Sequence, residues 1–424
     1  MIKKYTTDIN NNIYLKEEII KDNNSKSNNI IEITNKEITK FYGFGSAITE
    51  SSGYNYQKLS NKNKKNFIDD YYSKKGLNFN YGRISIGSND FSLNSFLYTK
   101  NKNLSDFNIK RDKEYVIPFL KDILSSKTIS LIASPWSPPR VFKRLPILRW
   151  GIKLRKKYYQ DYANYLIKFI DEYQKLNIKI DYITMQNEPN ARQRWESCKF
   201  TLEEQKDFIY NHLLNKLDKT KLLLWDHNKD DLFNIVNELY KENNKIAGVG
   251  FHYYTGSNFN ELKKIHDKYP ELLLINTEMC CSYTPYNEKN WLGSAEYYIK
   301  DIIGDMNSGV NAYLDWNILL DEFGGPTHSK NYVKSPSIRK DDNYIKSPIY
   351  YYLYHISHFI DHSIIIENKH NTNLKVVSFK NKNKLIIVVM NNNKEIIEYN
   401  LSFNNRNIFD KISKHSIITY EIIM

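Results

Sequence analysis

Acidic, amide and aromatic side chains recur at the downstream ends of short apolar runs in this 424-residue chain. They are Glu50, Arg83, Asp90, Trp136, the neighbours Asn187 and Glu188, Asp226, His227, His252, Tyr253, Tyr254, Glu278, Cys280, Asp315, Trp316 and Asn317. Indole and phenol rings stack on the C–H faces of a pyranose, amides and carboxylates bond its hydroxyls, and a pair of carboxylates is what cleavage of a glycosidic bond requires. The set reads as sugar chemistry. Asp226, His227 and His252 could hold a cation, but no second histidine stands two or four residues from either, so no metal centre is expected. No G-x-S-x-G elbow occurs, which argues against a serine nucleophile. Structural readings stand beside these. A lone strand-end glutamate is ordinarily a salt-bridge partner or helix cap, Trp136 could pack a rigid loop, and Tyr253 could be core. Cys280 reads as a packed thiol, and Asp226 and His227 as groups that orient the barrel floor or a loop.

The elements that must position these residues alternate between about 38 and 361. Strand-like runs at 38–49, 81–87, 128–136, 179–189, 221–228, 248–254, 272–279 and 312–317 are each followed by a helix candidate. The clearest helix spans 156–176, where Tyr159, Tyr162, Leu166, Phe169, Tyr173 and Leu176 recur at steps of three and four. Others lie near 60–75, 111–126, 203–218, 230–243, 258–269, 294–308 and 347–361, and T-L-E-E from Thr201 is a capping box. Eight βα units predict a closed parallel barrel, whose βα loops bring the strand ends together at one mouth. The chain ends show only short strand-like runs broken by Asn-Lys turns. The predicted organisation is an α/β fold: a (β/α)8 barrel over 38–363 with a small side β-sandwich built from strands in 1–37 and 364–424.

Composition removes other classes. With 61 Lys+Arg against 48 Asp+Glu the net charge is 61 − 48 = +13, yet the lysines are scattered rather than gathered in an arm, so no nucleic-acid partner is expected. A hydrophobic content of 41% and no run near 18 apolar residues exclude disordered and membrane-spanning readings. The three cysteines, two of them adjacent, cannot form a disulfide framework. No apolar segment follows the basic start, so the expectation is a cytoplasmic protein without a secretory signal.

MQNEP (185–189) and TEMC (277–280), with FGSAITE (44–50), RISIGSNDFS (83–92), ASPWSPP (133–139), GFHYY (250–254) and DWNILLDEFGGP (315–326), resemble glycoside hydrolase family 30, the glucosylceramidase-like family, over nearly the whole chain. The resemblance implies the same barrel with a side β-domain from both termini. It also implies a retaining double displacement, with Glu188 as general acid/base, Glu278 as nucleophile and their carboxyls about 5–5.5 Å apart. Tyr254 would bond the nucleophile, Arg83 would support it as an anion, and Asn187 would bond the sugar 2-hydroxyl. Asp90, Trp136 and Trp316 would hold the other hydroxyls and the ring face, and His252 and Asn331 complete the implied substrate-binding set. No cofactor or metal is implied. The leading reading is a glucosylceramidase-type β-glucosidase acting on a carbohydrate or glycolipid. A β-1,6-glucanase, β-xylosidase or β-fucosidase, and a non-catalytic carbohydrate-binding relative, are the alternatives. The chain departs from the family pattern at VFKRLPILRWGIKLRKK (141–157), which is either a cationic, greasy rim for a lipid or anionic aglycone, with peripheral membrane contact, or a lid helix packed on the barrel.

Overall fold

The computed structural model describes residues 1–23, 25–284 and 289–424. Eight parallel strands close into a barrel. In order they are Gly43–Ala47, Tyr81–Ile86, Ser130–Pro135, Tyr182–Thr184, Lys221–Asn228, Ile246–His252, Leu273–Glu278 and Ala312–Asp315, here barrel strands one to eight. Tyr81, Ile132, Leu223, Ala247, Ile275, Ala312 and Leu314 form a cluster separate from the helix-facing core, so they face inward and plug the barrel. Where strands six and seven pair, a Cβ on Gly248 would stand 2.0 Å from the Leu273 carbonyl oxygen, so the close approach requires glycine.

Above the plug the inward row turns polar. Arg83 follows Tyr81 by two residues on strand two, and Thr277 follows Ile275 by two on strand seven, as the period-two alternation demands. Strand five departs from that alternation. Its register shifts between Trp225 and His227, and Trp225 and Asp226 both take left-handed backbone (φ 70° and 63°). Another shift, between Asn276 and Glu278, lies on strand seven. Such irregularities re-aim side chains. Here they bring Asp226 into the inward row and set Glu278 at the mouth.

The helices that wrap the barrel include Asn61–Tyr72, Val116–Ser126, Tyr159–Gln174, Leu232–Leu239, Phe259–Lys268, Trp291–Met306 and Pro348–Ser357. The segment opened by the Thr201 capping box is α-helical over Leu202–Phe208 and then widens to a π-helix over Ile209–Leu213. One helix, Glu50–Gln57, has no counterpart in the sequence reading. Its buried face is mostly polar: Ser51 donates to the carbonyls of Phe91 and Pro326, and Asn55 to those of Ser51 and Gly325. An apolar periodicity could not reveal it. Among the described residues no helix is long and apolar enough to cross a membrane.

The run expected as one strand over 38–49 divides. Ile30–Phe41 runs in the side domain, and only Gly43–Ala47 belongs to the barrel. The side domain is a nine-stranded sheet in the order Ile13–Ile20, Ile2–Asp8, Ser416–Ile423, Lys384–Asn391, Lys375–Asn381, Ser363–His370, Ile30–Phe41, Ile397–Phe403, Arg406–Ile412. Neighbours are antiparallel except Ile30–Phe41 with Ile397–Phe403. Leu385, Ile387 and Val389 fill the domain's own core, whereas Ile386, Val388 and Met390 pack in the core shared with the barrel helices. Burial on both faces is why KLIIVVM reads as an unbroken apolar run.

Candidate active site

Arg83, fully buried, organises the barrel mouth. Its Nη1 donates to Glu278 Oε2 at 2.6 Å, its Nη2 to Asn187 Oδ1 at 2.8 Å and to both oxygens of Asp226 at 3.1 and 3.0 Å, and its Nε to Ser134 Oγ at 3.2 Å. Its guanidinium also lies over Trp136, 4.8 Å from the ring centroid, and 5.6 Å from that of Trp316. The two indoles stack on each other with centroids 5.2 Å apart and planes at 21°. A buried cation needs anionic partners to offset desolvation, and Asp226 and Glu278 supply them.

Asp226 is the second node. Thr184 and Thr277 hydroxyls donate to it at 2.7 and 2.6 Å, and His252 Nε2 lies 3.2 Å from its Oδ1. The opposite ring nitrogen, His252 Nδ1, is 3.3 Å from Glu188 Oε1. An unbroken polar chain therefore joins Glu188, His252, Asp226, Arg83 and Glu278. Glu188 itself has left-handed backbone (φ 48°), pinned by its amide donating to the Asp226 carbonyl at 2.9 Å. That conformation costs about 1–2 kcal/mol for a non-glycine residue, and it turns the carboxyl away from the strand direction toward His252.

Both Glu278 oxygens accept bonds: Oε2 from Arg83, and Oε1 from the Tyr254 hydroxyl at 2.9 Å. Burial raises the proton affinity of this carboxyl. His252 and Arg83 pull it back, and the charge of Glu188 adds to the rise, leaving it above its ordinary value. With each oxygen occupied by a donor, the group is held as an anion. For Glu188, burial is outweighed by the bond to and charge of His252, with His227 and Gln193 assisting, so its carboxyl lies below its ordinary value. His252 is the counterpart. Burial opposes its charge, but Glu278, Asp226 and Glu188 push its pKa up to about 9. The shared proton of this group thus rests on the imidazole between two carboxylates.

Asp90 is buried, and its Oδ2 accepts from Asn331 at 2.9 Å. Burial, reinforced by the charges of Glu278 and Glu188 and opposed by Asn331, pushes its pKa up to about 8. Asn331 arrives on the excursion after strand eight, which carries a small sheet of Leu319–Asp321, Ser337–Lys340 and Asn343–Lys346. The Cys280 thiol, 3.2 Å from the Tyr254 hydroxyl, is pushed well above its ordinary value by burial and by Glu278, so it remains a thiol.

The structure thus brings together Arg83, Asp90, Trp136, Asn187, Glu188, His252, Tyr254, Glu278, Trp316 and Asn331. Other strand-end residues turn elsewhere. Glu50 pairs with Arg111 at 2.5 Å, Asp315 accepts from Ser46 and Tyr298, Asn317 accepts from Thr49, and Tyr253 packs in the core. Asp226, read from sequence as an orienting group of the floor, is the junction of the network. Thr184, Thr277 and Ser134, which hold it and Arg83, were not singled out, although Thr277 stands in T-E-M-C beside Glu278.

Segment 141–157 forms no lid helix. Between short 3-10 turns over Arg140–Phe142 and Lys156–Tyr158 it runs as a loop, tied to the strand-four loop by Trp150 N to Gln193 O (2.8 Å) and Ser197 N to Leu148 O (2.9 Å). Buried Lys143 staples it, donating to Ser137 Oγ and to the Leu148 and Ser197 carbonyls. Leu145, Ile147 and Trp150 remain 51%, 36% and 38% exposed. Ile147 and Trp150 line a cavity of about 510 Å³ together with Arg140, Arg149, Arg194, Trp195 and Lys330.

Two family profiles match the chain: the glycosyl hydrolase family 30 TIM-barrel domain over residues 41–360 and the glycosyl hydrolase family 30 beta sandwich domain over 357–420. Putative glucosylceramidase 3 of Caenorhabditis elegans is 32% identical over 374 residues, spanning 81% of this chain and 71% of its own. The crystal structure of SrfJ from Salmonella typhimurium superposes with a TM-score of 0.94 at 26% identity over the whole of both chains. A solved endo-beta1,6-glucanase gives 0.88 at 28% identity, covering 100% of this chain and 99% of that one.

Proposed function

Because the chain belongs to glycoside hydrolase family 30 and is a glycoside hydrolase, we propose that it cleaves β-glucosidic bonds with retention, using Glu278 as nucleophile and Glu188 as general acid/base. The polar chain from Glu188 through His252, Asp226 and Arg83 to Glu278 carries this reading. It joins one carboxylate fixed as an anion to another that shares a proton.

In the first step a Glu278 oxygen attacks the anomeric carbon while the bond to the aglycone oxygen breaks, and that oxygen takes a proton from Glu188. The proton comes from His252 Nδ1, which leaves the ring neutral with its Nε2–H on Asp226. Forming the glycosyl ester removes the Glu278 charge and its repulsion of Glu188, lowering the proton affinity of Glu188 as its role changes. In the second step Glu188 deprotonates a water, whose oxygen displaces Glu278 and releases the sugar with its original β configuration. Asn187, oriented by Arg83, bonds the 2-hydroxyl, a contact that strengthens as positive charge develops on the ring.

For the aglycone we favour a lipid. The exposed Leu145, Ile147 and Trp150 beside Arg149 form an apolar edge with cationic neighbours, suited to an acyl chain at an anionic interface, and one relative is named a glucosylceramidase. A glucan is the second reading, supported by the aromatic-lined cavity and by the glucanase of matching fold. Rates on vesicular glucosylceramide, a β-1,6-glucan and aryl β-glucoside, β-xyloside and β-fucoside separate them. Glucosyl substrates should lead, with the glucosyl lipid cleaved and the glucan spared; the reverse order removes the glucosylceramidase reading. The Leu145→Asp, Trp150→Asp double variant should lose several-fold in co-sedimentation with anionic vesicles, and an undiminished pelleted fraction refutes lipid contact through this loop.

A further inference from the structure

The widest departure from the sequence reading lies beside Glu188. His227, whose Nδ1 is buried without a hydrogen-bond partner among the described residues, points that nitrogen at Glu188 Oε1 from 3.8 Å. His252 Nδ1 approaches the same oxygen at 3.3 Å, and one ligand atom from each of Glu188, His227 and His252 lies within 4.8 Å of the other two. We propose that these three side chains form a binding site for a single divalent ion of the zinc or copper class, and that its occupation blocks Glu188.

The separations fit. Bonds of about 2.0–2.2 Å in tetrahedral array put ligand atoms about 3.4 Å apart, so side-chain shifts that close the separations by at most about 1.4 Å suffice. Two imidazoles and one carboxylate select a borderline ion over calcium or magnesium, which prefer oxygen. The supporting group is also present. His252 presents Nδ1 to the trio while Nε2 faces Asp226 at 3.2 Å, and Asp226 is fixed by Arg83, Thr184 and Thr277. A carboxylate behind a ligating histidine is what sets its tautomer and orientation in zinc sites. The histidines stand on strands five and six, and Glu188 lies in the loop after strand four, where its amide is pinned to the Asp226 carbonyl at 2.9 Å. Side chains of Glu188 and His227 keep 12% and 13% exposure, which gives an ion a route in and leaves its remaining coordination to water.

The ion displaces the proton that His252 Nδ1 holds in the resting site, releasing it to solvent, and metal bound to Oε1 occupies the oxygen that exchanges that proton. The blocking consequence rests on Glu188 being the acid/base; the site itself does not. The intact protein should bind one Zn²⁺ in equilibrium dialysis, with neither Mg²⁺ nor Ca²⁺ competing. The Co²⁺ form should give visible bands without a sulfur charge-transfer band, which excludes the Cys280 and Cys281 thiols as ligands. His227→Asn and His227→Gln, both checked for a wild-type melting temperature, should weaken binding by about tenfold or more, since loss of a group that merely orients a ligand already costs about 10- to 100-fold. Zn²⁺ should inhibit hydrolysis of an aryl β-glucoside over the concentration range in which it binds. No stoichiometric binding, binding indifferent to both His227 variants, or a thiolate band overturns the site. Binding with the expected His227 dependence but no inhibition leaves the site standing and rejects Glu188 as acid/base.

Discussion

Glu278→Gln should lower kcat on an aryl β-glucoside on the order of 10⁴-fold or more, about 5 kcal/mol of transition-state stabilisation. The substitution is nearly isosteric, and Tyr254 can still donate to the amide oxygen. What is lost is the nucleophile, because a carboxamide does not form the glycosyl ester on which retention depends. The variant also removes one of two anions that neutralise buried Arg83, so stability must be followed alongside rate. Both Asp226 oxygens still accept from Arg83 Nη2, and calorimetry should find a folded protein that melts a few degrees lower. Wild-type enzyme incubated with a slow 2-fluoro glucoside should gain the mass of one glycosyl group on the peptide containing Glu278, and the variant should gain none. A folded variant within tenfold of wild-type activity, or a label on another residue, rejects the assignment.

The parts of this arrangement that the sequence made legible are those set by local rules. Period-two and period-3.6 patterns located seven barrel strands and most outer helices, because each element buries one defined face against the next. The strand-end positions of Glu188, Glu278, Arg83 and Tyr254 followed once eight βα units were counted. Where a rule is not local, the reading failed. Ile30–Phe41 and Gly43–Ala47 are contiguous β sequence that the fold sends to two different sheets. Glu50–Gln57 is a helix buried through serine and asparagine hydrogen bonds. Nothing in KLLLWDHN announces the irregularity at Trp225 and Asp226 that turns Asp226 inward and leaves His227 facing Glu188. The sequence reading set His227 and His252 beside Asp226 as possible cation ligands and missed Glu188 as the third for the same reason. Glu188, His227 and His252 are spaced 39 and 25 apart along the chain, and only strand register brings them to one oxygen.

Glu188→Ala provides the complementary expectation, in which the size of the loss depends on the leaving group. For a substrate whose aglycone leaves poorly, the first step needs a proton, and general acid catalysis is worth about 10²- to 10⁴-fold; kcat/KM should fall by that amount. For a nitrophenyl glucoside the first step needs little help, so the glycosyl ester on Glu278 should form and accumulate, giving a burst followed by slow turnover. Azide, which needs no general base and fits where the carboxylate was removed, should then speed turnover and yield a β-glucosyl azide. The retained configuration would identify attack on the glycosyl ester rather than on the substrate. The same variant tests the proton's resting place. His252 owes part of its raised pKa to Glu188, so the imidazole proton resonance should titrate at lower pH in Glu188→Ala, whereas an unmoved resonance with full azide rescue would keep Glu188 as acid/base but remove His252 as its proton source. Loss of activity by the same factor on good and poor leaving groups, without azide rescue, would mean that Glu188 supports the site's geometry and carries no proton at all.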